Sequence, residues 1–370
     1  MTSSPGFKKL LVIRLGALGD LVHVSASLNA IKQRYPDLEI HFLSRGMYQE
    51  LVGMMPFVDQ FWVWPQKPGM KNLFSLAQQM RQSGIDGVVN LQPSLKTYFL
   101  TSTLGQPTAV YRKEKCKVFG ERQRSVSRLH AVEDFYRPFQ TLLGLEGDSQ
   151  ELIPLLSFPV IPRFSRGIQR DTQLSGCCDS AQHDNRFNLG VVPSVGGKRA
   201  NRAWPLDYWV RLLSGLLKSY PHLELSFFGG KEDIEQVASL INQISLQNQV
   251  IGHVERLKNY CGKRDIPGTA ALMQSCNLVI SGDTGPLHLA AGIGIPVLGL
   301  FGPTSVDRTG PRGKNTVLTL TPSSENPFWP CEKPSCISHS SDEQACMRSI
   351  PVETVLEVMR TQLQEKIGLS

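Results

Sequence analysis

Short apolar runs alternate with amphipathic stretches along both halves of the chain. In the first half, Leu10, Leu11, Val12 and Ile13 follow one another within residues 9–14, the pattern of a strand buried on both faces. Residues 20–35 instead space Leu21, Val24, Leu28 and Ile31 at helical intervals. Apolar runs at 39–43, 60–63 and 87–91 predict further strands with helices between them. A βαβα rhythm of this kind predicts a parallel sheet covered by helices on both faces.

From 151 to 186 the rhythm stops. Pro154, Pro159, Pro162 and the polar run at 175–180 carry no period, which reads as a linker with an inserted loop. The alternation then resumes, with strands predicted at 187–192, 223–228, 277–280 and, last, 296–301. Helices are predicted at 205–220, 232–244 and 351–367, the final one carrying Val352, Val355, Leu356, Met359 and Leu363 on one stripe. The pattern predicts an α/β protein of two Rossmann-like domains, 1–160 and 187–350, joined by a linker at 161–186 and closed by a C-terminal helix, 351–370. Ligands of such sheets bind beyond the carboxyl ends of the strands, so the expected site is the cleft between the domains.

Composition narrows the partners. A length of 370 residues suits two domains, and 41% hydrophobic with 19% charged residues describes an ordinary globular chain. No apolar run reaches the roughly 20 residues that span a bilayer. Residues 1–9 are polar and lead into a glycine-rich turn, so no signal peptide is read there. Eight scattered cysteines fit a reducing cytoplasm better than a disulfide framework. A net charge of +7 favours an acidic partner. The densest basic cluster, from Arg112 to Arg128, reads equally well as a solvated loop. It lacks interleaved aromatics, so nucleic acid is not expected.

Three segments carry candidate chemistry. Residues 281–291, SGDTGPLHLAA, follow a predicted strand and open a predicted helix. Thr284, Gly285 and Pro286 therefore fall where free backbone N–H groups and the helix dipole favour a phosphate, with Asp283 and His288 at the same mouth. An N-cap on a core helix would use the same residue types, and this segment alone does not separate the two readings. After the first strand, Gly16 and Gly19 make a tight turn that presents Asp20 to the cleft, where a carboxylate can serve as general base or, again, as an N-cap. The spacing is G-x-x-G-D and not G-x-G-x-x-G, and no ribose-binding acid follows the second strand, which disfavours a nicotinamide site. The loop at 193–205 places Lys198, Arg199 and Arg202 beside glycines, as neutralising a diphosphate requires. Glu232, after the strand at 223–228, is placed to accept from a sugar hydroxyl.

Taken in order, the turn ending in Gly19 and Asp20, the segment from Arg202 to Pro205, the run from Asp283 to Ala291 and the FGPT at 301–304 resemble glycosyltransferase family 9, the ADP-heptose:lipopolysaccharide heptosyltransferases. The resemblance covers the chain apart from the linker insert. It implies a GT-B fold, inversion at the anomeric carbon without an essential metal or other cofactor, and ADP-heptose as donor. By position it implies that Asp20 is the catalytic base, and that Asp283, Thr284, Gly285 and His288 hold the donor. Ser194 and Glu232 correspond to donor contacts, and Arg202 stands where the family usually carries a lysine. The implied acceptor is the lipopolysaccharide inner core, an anionic glycolipid met by peripheral contact with the inner membrane. A protein acceptor, or a non-catalytic sugar-nucleotide-binding module, are the alternatives. Cys331, Cys336 and Cys346, with His339 between, resemble a cysteine cluster that binds a structural metal in some members; Phe328 stands where the fuller pattern has a further cysteine.

Overall fold

The structure, a computed structural model, describes residues 6–112, 129–145, 152–157, 186–194, 200–248, 254–322, 329–331 and 344–367. The first half runs β1 (Lys9–Ile13), α1 (Leu18–Arg34), β2 (Glu39–Arg45), α2 (Gln49–Gly53), β3 (Gln60–Trp64), α3 (Met70–Gln82), β4 (Gly87–Asn90), α4 (Leu95–Leu104), β5 (Thr108–Val110) and α5 (Ala131–Leu143). Its strands form one parallel sheet in the order β3-β2-β1-β4-β5.

The second half runs β6 (Phe187–Val192), α6 (Leu206–Ser219), β7 (Leu223–Phe227), α7 (Ile234–Asn248), β8 (Leu257–Asn259), α8 (Ile266–Met273), β9 (Leu278–Gly282), α9 (Gly285–Gly292), β10 (Val297–Leu300), α10 (Val306–Thr309), β11 (Val317–Leu320), α11 (Ala345–Arg348) and α12 (Val352–Ile367). Its parallel sheet has the order β11-β10-β9-β6-β7-β8. The run at 296–301 is therefore not the last strand. β11 lies beyond it at the sheet edge, half-buried along its length, so a fully apolar pattern does not announce it. β8 and β5 escaped the pattern for related reasons: each has three residues, and β8 is Leu-Lys-Asn.

Each sheet reverses its winding once. The chain moves outward from β1 to β3 and then crosses to β4 on the other side of β1; likewise it moves from β6 to β8 and crosses to β9. The crevices beside β1 and β6 are topological switch points, where α/β sheets hold ligands. The loop carrying Asp20 leaves β1, and the loops carrying Ser194 and Asp283 leave β6 and β9.

What brings the two crevices together is α1. Its buried face exceeds the expected stripe, since residues 21–28 are all buried. The helix packs on α5 on one side and α9 on the other. One apolar cluster runs from Leu10 and Val12 through α1 and α5 to Leu287, Ala290 and Ala291 of α9. Glycines permit the close crossing. A Cβ on Gly285 would stand 2.9 Å from Leu18 Cβ, and one on Gly292 would stand 2.9 Å from Val22 Cγ1. α12 packs against α6, burying Val352, Val355, Met359 and Leu363 in the second sheet's core. No helix among the described residues is long and apolar enough to cross a membrane.

Candidate active site

A cavity of about 560 Å³ lies between the two crevices, with Arg14, Asp20 and His23 on one wall and Arg202, Asp283 and Thr284 on the other. The first wall begins where β1 ends. Gly16 has φ +140°, which an L side chain resists, and the turn delivers Ala17 as the N-cap of α1. Asp20 is thus not the N-cap: it sits in the first turn and reaches back, its Oδ2 accepting from Ala17 N at 3.1 Å and from Arg14 Nη2 at 2.5 Å. Gly19 is needed for a different reason than a turn. A Cβ there would lie 2.7 Å from His288 Cδ2, on the opposite wall.

On the second wall Thr284 is the N-cap of α9, its Oγ1 accepting from Leu287 N at 3.4 Å and paired with Ser281 Oγ at 2.8 Å. Pro286 occupies the first turn, where its missing donor costs nothing. Asp283 is buried, and both of its oxygens are engaged: Arg202 Nη1 at 2.6 Å from Oδ2, and His288 Nε2 at 3.5 Å from Oδ1. Burial alone would raise this carboxyl, but the His288 contact and the Arg202 charge together hold it below the usual aspartate range. Arg202 ends a short 3-10 turn that is anchored by Trp204, buried and donating from Nε1 to Ile350 O at 3.1 Å.

Of the residues singled out from the sequence, Gly19, Asp20, Arg202, Asp283, Thr284, Gly285 and His288 line this one cavity. Gly16, Ser194 and Glu232 do not. Ser194 is buried just past β6, and its hydroxyl has no partner among the described residues. Glu232 is exposed on the turn after β7, where Asp233 and not Glu232 accepts from Gly230 N, at 2.7 Å. Lys198 and Arg199 lie outside the described residues, as do Cys336 and His339. Cys346 is buried and Cys331 half-buried; among the described residues no group of three His, Cys, Asp or Glu gathers to hold a metal.

Several lining residues were missed. His23 is three residues after Asp20 in the same turn of α1, a spacing that offered a signal. Its ring packs edge-on against His288 at 4.6 Å and His130 at 5.3 Å. Burial, then the neighbouring His288 and His130, keep His23 neutral well below the ordinary histidine range. Tyr111 and Asp134 also reach the cavity. Burial, and then the charge of Asp134, push the Tyr111 phenol up. Neither carries a local motif; tertiary packing alone brings them here.

A family model for glycosyltransferase family 9 (heptosyltransferase) matches residues 73–337. The chain belongs to glycosyltransferase family 9. Arg202 and the segment from Asp283 to His288 fall inside the matched span of the family-9 chain, and Asp20 precedes it. Lipopolysaccharide core heptosyltransferase OpsX of Haemophilus influenzae is 24% identical over 309 residues, 82% of each chain. Escherichia coli ADP-heptose lipopolysaccharide heptosyltransferase II superposes with a TM-score of 0.72 at 18% identity, covering 97% of this chain and 99% of that one. E. coli heptosyltransferase WaaC, solved with ADP-2-deoxy-2-fluoro heptose, gives a TM-score of 0.63 at 14% identity, covering 95% and 99%. The family-9 chain shares their GT-B fold, and it is a glycosyltransferase.

Proposed function

We propose that this family-9 enzyme transfers heptose from ADP-heptose to a hydroxyl of the lipopolysaccharide inner core, inverting the anomeric centre, with Asp20 as general base. The observation that carries the reading is the placement of Asp20 across one cavity from Arg202, Asp283 and Thr284. Inversion needs this opposition, because the acceptor oxygen must approach the face away from the departing phosphate. The relatives support the donor and acceptor classes: one is a lipopolysaccharide core heptosyltransferase, and another was solved with an ADP-heptose analogue.

In the proposed step the acceptor hydroxyl gives its proton to Asp20 as its oxygen bonds to the anomeric carbon. The bond from that carbon to the β-phosphate oxygen breaks, and its electron pair leaves with ADP. Charge therefore grows on the diphosphate, next to the Arg202 guanidinium and the N-terminus of α9. Asp283 holds Arg202 and His288 in place. Residues 1–160 would serve as the acceptor half and 187–350 as the donor half, with 161–186 linking them and the helix in 351–370 closing the second. Ser194 and Glu232 are assigned to the donor side, Gly16 to the turn that presents the base, and Gly19, in the first turn of α1, to the close approach of His288. The net charge of +7 suits peripheral contact with an anionic glycolipid surface.

The test combines purified enzyme, ADP-heptose and the truncated lipid A–core oligosaccharide from cells lacking the gene. Expected are ADP release, a heptosylated product by mass and an inverted anomeric configuration by NMR. Asp20→Ala should lower transfer by about 10³-fold, within the range for loss of a general base, while calorimetry finds donor affinity unchanged. An equal loss of donor affinity, or a preference for GDP- or UDP-sugars, would overturn the reading.

A further inference from the structure

The carboxylate of Asp20 is one-third exposed, yet the group behind it is not: the Arg14 side chain is only 11% exposed. Three restraints fix its guanidinium. Nη2 meets Asp20 Oδ2 at 2.5 Å, Nη1 donates to Leu91 O at 2.6 Å, and Cζ lies over the Phe135 ring, 4.7 Å from its centroid. The backbone is held as well. Arg14 N donates to Leu43 O at 3.1 Å, and Leu91 N donates to Ile13 O at 2.9 Å. The guanidinium thus spans the β1–β4 switch point, backed by α5.

The result falls on one oxygen of Asp20. Oδ2 accepts from both Arg14 and Ala17 N, whereas no group among the described residues donates to Oδ1. A carboxylate that is to take a proton needs one oxygen open and the other tethered, so that the open lone pair does not rotate away. We propose that Arg14 is the positioning residue for Asp20, tethering Oδ2 so that Oδ1 faces the acceptor hydroxyl; this rests on the assignment of Asp20 as the base. Lysine cannot do the same work. A single ammonium has no plane to stack on Phe135 and no fixed fork to join Leu91 O to the carboxylate. An ion pair whose carboxylate is one-third exposed contributes little to stability by itself; the three-way restraint on the buried guanidinium gives the pair a role in geometry.

The experiment measures kcat, the KM for ADP-heptose and the Kd for ADP in Arg14→Gln, Arg14→Lys, Asp20→Asn and the double variant Arg14→Gln/Asp20→Asn. Misplacing a reacting group by about 1 Å costs about 10²-fold. We expect Arg14→Gln to lose about that factor in kcat and Arg14→Lys, which keeps the charge, about 10-fold, both with ADP affinity intact. In the Asp20→Asn background Arg14→Gln should cost less than about twofold further, because the group it positions is gone. Undiminished kcat in Arg14→Gln, full additivity in the double variant, or a fall in ADP affinity matching the fall in kcat would each overturn the proposal. Should Arg14→Gln not fold, as judged by its thermal midpoint and circular dichroism, Arg14→Lys carries the same comparison. Retained transfer in Asp20→Asn would instead refute the base assignment, a separate and recognisable failure.

Discussion

Replacing Gly19 with alanine sets two effects of known sign against each other. Gly19 is helical, near the start of α1, and alanine in a helix interior is favoured over glycine by about 1 kcal/mol. Against this, the new Cβ would stand 2.7 Å from His288 Cδ2 and 3.4 Å from its Cγ. Carbon atoms prefer separations of about 3.5–4.0 Å, so the methyl overlaps the ring by close to 1 Å. His288 has little room to retreat: its Nε2 lies 3.5 Å from Asp283 Oδ1, and its other flank packs on His23. Overpacking of this kind costs about 1–3 kcal/mol, which outweighs a propensity gain reduced by position in the first turn. Gly215, inside α6, is the control, because nothing stands within 4 Å of the Cβ it would gain. Urea denaturation should therefore show Gly19→Ala less stable and Gly215→Ala more stable than the parent. Calorimetry should show weakened ADP binding for Gly19→Ala alone. Equal stabilisation of both variants, with ADP affinity retained in Gly19→Ala, would refute the claim that the two walls meet through this glycine.

Arg202→Ala would leave the buried Asp283 carboxylate without its guanidinium partner, with His288 and Thr304 still beside it, and breaking such a pair costs about 3–5 kcal/mol; a urea midpoint within error of the parent would contradict this. Ser194→Ala should weaken ADP binding in calorimetry without lowering the thermal midpoint, since the buried hydroxyl has no protein partner to lose among the described residues. His130 is pushed down to about 4, by burial first and then by Arg312, while an unfolded histidine takes its proton near 6.5. The unfolded chain then binds more protons in this window, so stability falls as the pH drops from 6.5 towards 4. The loss from this residue is about 2 kcal/mol between pH 7.5 and 5. It should shrink in His130→Gln, and urea midpoints independent of pH over that range would count against it. His23, shifted in the same direction, adds a loss of the same sign.

Much of the fold was legible because strand and helix impose different spacings on apolar residues. The consecutive run Leu10–Leu11–Val12–Ile13 suits a short strand covered on both faces, and it makes up β1 after Lys9. β8, three residues with a lysine and an asparagine, and β11, half-buried along its length, carry no fully buried run of this kind and passed unread. The candidate site was legible where a turn carries its own chemistry. Asp20 and the segment from Asp283 to His288 stand at strand-to-helix turns, and both line the cavity.

Local sequence, then, determined the two α/β halves, the glycine turn after β1 and the N-terminus of α9, because each depends on residues within a few positions of one another. Only the tertiary structure decided what those pieces do together. It set the crossing of α1 and α9 through Gly19, Gly285 and Gly292, the pairing of Arg202 with Asp283 across 81 positions, and the arrival of Tyr111 and Asp134 in the cavity. The physical reason is that packing distances and buried charge pairs join residues remote in the chain, and no periodicity or motif records which partner a side chain will meet.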